Sequence, residues 1–199
     1  MNMFTYNQEQ AAQVGASQYV TKSGGYDFKI VRAQFNKGTG NQSESIEFDF
    51  EDRNGLKCNY VSINYTKGNG EPNEYGHKLI QSIMGCVGAQ NLTENQTHCP
   101  ELFGKYIKAV VQRIDYTKQS GAKAGQDGYK FDFKLPAHIK TGKTVKEQLS
   151  NEPATSFEQY ASTITDKDER QQMAAPGIGF QQSSAQSHAN VDFDDNIPF

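Results

Sequence analysis

The sequence predicts a mainly β domain with one helix, followed by a polar, acidic tail. Three observations predict it. Ile46, Phe48 and Phe50 alternate strictly with Glu47 and Asp49, the pattern of a half-buried strand. Turn signals, Asn54-Gly55 above all, divide residues 1–140 into strand-length runs. The stretch from Gln171 to Asn190 holds no Asp, Glu, Lys or Arg and is dominated by Gln, Ser, Ala and Gly. Such a segment buries too little apolar surface to offset its ordering entropy.

Residues 1–17 are polar and expected to be loose. The first strand is expected at 26–35, between Gly24-Gly25 and NKGTGNQS, the second at 46–50 and the third at 56–67. Over 74–88 the alternation gives way to helical spacing at Leu79, Ile80, Ile83, Met84 and Val87. Gly76 and Gly85 oppose that helix, each costing about 1 kcal/mol relative to Ala. A fourth strand is expected at 105–116. A fifth follows at 129–135, with Tyr129, Phe131, Phe133 and Leu135 on one face. The order β-β-β-α-β-β resembles the OB-fold, a five-stranded, partly open Greek-key barrel. The helix between strands 3 and 4 is what likeness to that fold family contributes. Another small α+β domain with the same element string is the alternative. The expected layout is an OB-like domain over 1–140, a flexible linker over 141–191 and an acidic tip over 192–199. Within the linker, Val145, Leu149, Phe157, Tyr160 and Ile164 suit a transient helix.

The chain has 199 residues and a formal net charge of −3. Residues 1–140 hold 16 Lys+Arg against 14 Asp+Glu, and residues 141–199 hold 4 against 9, so a weakly basic domain precedes an acidic tail. Cys58, Cys86 and Cys99 form no disulfide framework. The first residues lack a signal-peptide pattern, and no apolar run approaches the ~18 residues that span a membrane. The expected compartment is the cytoplasm, so the Asn-x-Thr triplets at Asn91 and Asn95 are chance sequons.

The chain ends Asp192-Phe193-Asp194-Asp195-Asn196-Ile197-Pro198-Phe199. Its carboxylates steer the peptide toward a basic surface. Phe193, Ile197 and Phe199 supply apolar anchors, and Pro198 lowers the ordering cost. The octapeptide resembles the acidic tip of bacterial single-stranded DNA-binding protein, D-F-D-D-D-I-P-F, at seven of eight positions, with Asn196 replacing an Asp. In that family the tip recruits replication, recombination and repair proteins. By resemblance Ile197, Pro198 and Phe199 are the anchor here, and Asp192, Asp194 and Asp195 the charged part. Residues 1–140 do not align with the bacterial barrel, and this chain has no Trp where that family stacks bases on Trp and Phe. The closer analogy is a phage-encoded protein that carries a divergent barrel and copies the host tip.

Non-specific single-strand binding needs cationic groups for phosphates and aromatic faces for bases. The first strand offers Lys29, Arg32 and Phe35, with Lys29 and Phe35 at the same alternation parity. The third offers Lys57, Tyr60, Tyr65 and Lys67. Tyr60 and Tyr65 have opposite parity and share a face only across a bulge. The fourth offers Lys105, Tyr106, Lys108 and Arg113, with Tyr116 nearby, and the following Gly-rich loop offers Lys118 and Lys123. Glu47, Asp49 and Glu51 argue against the outer face of the second strand. For each aromatic residue, a place in the core is the competing assignment.

Two other motifs carry less. Residues 137–144, AHIKTGKT, match a phosphate loop whose first Gly is Ala, but too few βα units follow for a nucleotide-binding fold. His77, Cys86, His98 and Cys99 lack zinc-ligand spacing. No metal, cofactor or enzymatic activity is expected. The sequence points to a protein that coats single-stranded DNA in replication, recombination and repair. Its expected partners are host proteins bound through the tip, and a homo-oligomer, a dimer first. The alternatives are a decoy that mimics the tip without binding DNA, and a strand-annealing recombination protein.

Overall fold

Alternation that places Ile46, Phe48 and Phe50 on one side of a strand buries all three to 1% exposure or less. The structure, a computed structural model, describes residues 5–8 and 18–170. Its elements are β1 (Gly24–Lys37), β2 (Glu44–Asp52), β3 (Lys57–Thr66), α1 (Glu74–Val87), β4 (Tyr106–Thr117), β5 (Asp127–His138), α2 (Val145–Leu149), α3 (Ser156–Thr163) and β6 (Lys167–Asp168). The protein is mainly β. A six-stranded sheet runs β3-β2-β1-β4-β5, with β6 lying parallel beside β4. The sheet is not closed by a hydrogen-bonded ladder. Its edge strands β3 and β5 nevertheless lie close together, and α1 packs against both.

The inner face holds the main core, including Phe28, Ile30, Phe48, Phe50, Val61 and Ile107. Phe28 and Phe48 each stack on Phe50, with centroids 5.2 and 5.5 Å away. Helix α1 seals one end with Leu79, Ile80, Ile83 and Cys86. Asn73 caps it, accepting from the Gly76 amide while its own Nδ2 donates to the Asn64 carbonyl. Gly76, a cost to the isolated helix, is what lets α1 dock. A Cβ there would lie 1.8 Å from the Asn64 carbonyl oxygen on β3.

Bulges overturn two expectations of shared parity. Between Ile30 and Arg32, β1 carries an extra residue, Val31, against β2. An extra residue reverses every later side chain. Lys29 therefore faces out while Phe35 turns in to pack on the core. In β5, Phe133 pairs with Val111 and Leu135 with Val110, so one residue is extra at Lys134. Leu135 consequently leaves the face of Phe131 and Phe133 and packs on the other side with Val110 and Ala137.

The linker expected to begin at 141 begins no earlier than 171, because residues 145–170 fold onto the sheet. Phe157, Tyr160, Ala161 and Ile164 of α3 and its flank cover Val110, Leu135 and Ala137. Phe157 is 3% exposed. Gly25 admits the helix, since a Cβ there would meet Ala161 and Phe157 at 2.9 Å. One carboxylate joins the two short helices. Glu147 accepts from the Thr144, Thr155 and Ser156 amides at 2.8–2.9 Å and from the Thr144 hydroxyl at 3.0 Å. Burial works to raise its pKa, but the Ser156, Thr144 and Thr155 amides outweigh it and hold the group at about 2. Asp166 then accepts from the Ser23 amide and hydroxyl at 2.7 and 2.6 Å. The expected loose N-terminus lies mostly outside the described residues. The rest of the linker and the tip, with Asp192, Phe193, Asp194, Asp195, Ile197, Pro198 and Phe199, lie wholly outside them. Among the described residues no helix is long and apolar enough to cross a membrane.

Candidate nucleic-acid interface

The outer face of the sheet is divided. Where β1 begins, beside β4 and β5, it is apolar and roofed by α3. Farther along β1 it is polar and open, and several of the expected site residues meet there. Register places Tyr106 opposite Lys29, Lys29 opposite Glu51, and Glu51 opposite Lys57, with Tyr19 bridging to Lys57. Directly opposed residues share a face, so two lysines and two tyrosines line one row around a single carboxylate. Tyr106 is 48% exposed and Tyr19 50%.

The next row centres on Tyr60. Between Phe48 and Phe50 of β2, the facing β3 carries an extra residue. In that bulge Tyr60 adopts φ 61° and stands 72% exposed. Left-handed backbone costs a residue with a Cβ on the order of 1 kcal/mol or more. The Tyr60 amide donates to Asp49 Oδ1 at 2.8 Å, and the Arg32 guanidinium lies 5.6 Å from the ring centroid. Arg32 donates to Asp49 at 2.6 Å, to Glu47 at 2.6 Å and to Gln34 at 2.8 Å. The Asp49 hydrogen bond leads in raising the Arg32 pKa, against its partial burial. Partial burial works to raise the Asp49 pKa, but Arg32 and the Tyr60 amide outweigh it and lower it. Arg32 is thus committed to two of the β2 acids, with the Tyr60 ring beside its guanidinium. Beyond it, Gln34 lies opposite Glu47 and bonds Thr97 at 3.1 Å.

Phe103 belongs near this face and was missed by sequence reasoning. It is 65% exposed, and the following Gly104 and Lys105 hydrogen-bond to both backbone groups of Ile30. That pairing sets the segment alongside β1, next to the Lys29–Tyr106 row. The only local signal is an aromatic residue directly before Gly104 and the cationic Lys105.

The remaining candidates lie elsewhere. Phe35 and Tyr65 turn inward beside α1, and Tyr65 meets His77 edge-on at 5.8 Å. Lys108 is under the roof, 3.2 Å from Asp27, 3.5 Å from Glu158 and 4.9 Å from the Phe157 ring centroid. Arg113 holds Asp115 at 2.8 Å and stacks 4.4 Å over Tyr129. Lys118 and Lys123 sit in the β4–β5 loop, at the opposite end of β4 from Tyr106. Lys67 is exposed in the loop after β3, 3.6 Å from Glu71. The structure therefore gathers Lys29, Arg32, Lys57, Tyr60 and Tyr106, sets Lys105 opposite the inward-facing Ile30 at the end of that row, and separates the other seven.

Among the described residues no cluster of His, Cys, Asp and Glu suits a metal ion. All three cysteines are buried and free. Burial pushes the Cys58 and Cys86 thiols up to about 12. In the phosphate-loop-like segment, Thr144 caps the five-residue α2 and its hydroxyl bonds Glu147. No protein-family model matches the chain, and neither does any curated protein.

Proposed function

We propose that the protein binds single-stranded DNA without sequence preference, on the open outer face of β1–β4, and recruits other proteins through residues 192–199. The observation that carries this reading is Tyr60. An aromatic ring held exposed on unfavourable backbone, with a guanidinium beneath it, is a poor use of a core-forming residue and a good stacking platform. Tyr106 and Phe103 extend the aromatic surface, and Lys29 and Lys57 supply cations for phosphates, with Lys105 at the end of the row. The strand order, the approach of β3 to β5 and the position of α1 support an OB-like barrel. The octapeptide DFDDNIPF supports a role beside replication, recombination and repair proteins, with a phage origin as the corollary. Three rows cover few nucleotides, so coating requires several copies side by side.

One observation favours the tip-mimicking decoy instead: Glu47, Asp49 and Glu51 leave the open face close to neutral. Titrating labelled oligo-dT with the full chain and with Tyr60→Ala, at low and moderate salt, separates the two. The reading expects salt-sensitive binding that Tyr60→Ala weakens by about 1–3 kcal/mol. Absence of binding by the full chain would leave the decoy.

A further inference from the structure

A second surface feature lies around the edge of the open face. Between α1 and the ends of β1, β2 and β3 runs a groove of about 380 Å³. Its floor is apolar: Phe35, Ile46, Tyr65, Ile80 and Met84. Its rim is made of His77, Gln81, Gln90 and Asn91. The three amides each offer a donor and an acceptor without a charge.

We propose that this groove takes one unstacked nucleobase of the bound strand; the inference rests on the single-strand reading above. A flat, neutral ring with donors and acceptors along its edge is what an aromatic floor and an amide rim complement. The volume equals about a dozen waters, enough for one base and its sugar. Among the described residues, no Lys or Arg lines the groove to pair with an anionic occupant. Burial first, then the charges of Glu44 and Glu94, raise the Tyr65 hydroxyl pKa. Lys78 is exposed on α1 three residues from Gln81, outside the groove, where the flanking phosphate would lie. One loop segment borders both the groove and the open face. Asn91 and Leu92 line it, while Thr97 and His98 of the same segment meet Gln34 on the sheet's outer face.

The test uses the full chain labelled with ¹³C at methionine methyls, titrated with oligo-dT and with an abasic oligomer of equal length. Oligo-dT is expected to shift the Met84 methyl signal, and the abasic oligomer to leave it in place. Gln90→Glu, which adds a charge at the exposed rim, is expected to weaken oligo-dT binding about tenfold and abolish that shift. Equal shifts with both oligomers would overturn the base pocket. Binding of oligo-dT without movement of Met84 would overturn it too, while leaving the single-strand reading intact. Absence of any binding would sink both.

Discussion

The two halves of the outer sheet face solve the same problem differently. Near Gly25 the face carries Val110, Leu135 and Ala137, and α3 covers them with Phe157, Tyr160 and Ala161. Near Tyr60 it carries charged and amide groups, and nothing among the described residues covers its aromatic rings. On the near half the apolar surface is roofed, while on the far half Tyr60 and Tyr106 stay 72% and 48% exposed. The exposed rings of Tyr60, Phe103 and Tyr106 are therefore surface by placement, each beside a cationic or polar neighbour, and not a core left unfinished.

Breaking the roof should have the largest effect. Phe157→Ala is expected to destabilise the protein by about 3 kcal/mol, read by thermal melting, while oligo-dT affinity holds; a parallel loss of affinity would place DNA under α3 as well. Acid should act on the same half. The Glu147 pKa lies below its ordinary 4.5 in the folded state, at about 2. Its contribution is therefore fully present above pH 4.5 and lost as the pH falls toward 2. Melting curves of the wild type and Glu147→Gln should converge over that window, with a gap of about 1–3 kcal/mol at neutral pH.

Effects on the open half should be smaller and opposite in sign. Tyr60→Gly relieves the positive φ and is expected to raise stability by about 1 kcal/mol while weakening DNA binding. A variant that loses both would make Tyr60 a packing residue. The smallest effect is electrostatic. Lys29→Ala and Lys57→Ala should each flatten the plot of log affinity against log salt by about 0.7, whereas Lys108→Ala should leave its slope unchanged.

The comparison also separates what was legible in the sequence from what was not. Alternation and turn chemistry place β1–β5 and α1 within a few residues of their bounds, because those signals are local. Bulges are not local signals. Val31 looks like any strand residue, yet it sends Phe35 inward, and the extra residue at Tyr60 turns an ordinary strand tyrosine into an exposed ring. The partners of Arg32 were hidden for the same reason, since Glu47 and Asp49 come to it only through cross-strand register. The roof was half legible. Phe157, Tyr160 and Ile164 have helical spacing, but Leu149 does not share their fate and is 83% exposed. What the sequence did not disclose was the bare outer patch of β4 and β5 waiting for them, which exists because of the shift at Lys134.

The roof is fastened by one small apolar cluster, the Glu147 carboxylate, Lys108 against Glu158 and Phe157, the hydrogen bonds of Ser23 to Asp166 and of Gln112 to the Thr165 carbonyl, the Arg170–Asp127 pair and the two-residue β6. Segments with few buried apolar contacts are where local opening concentrates. The roof's amides should exchange with solvent before those of β1 and β2 do. Opening of the roof would bare Lys108 and its apolar neighbours beside Tyr106, joining the two halves of the outer face.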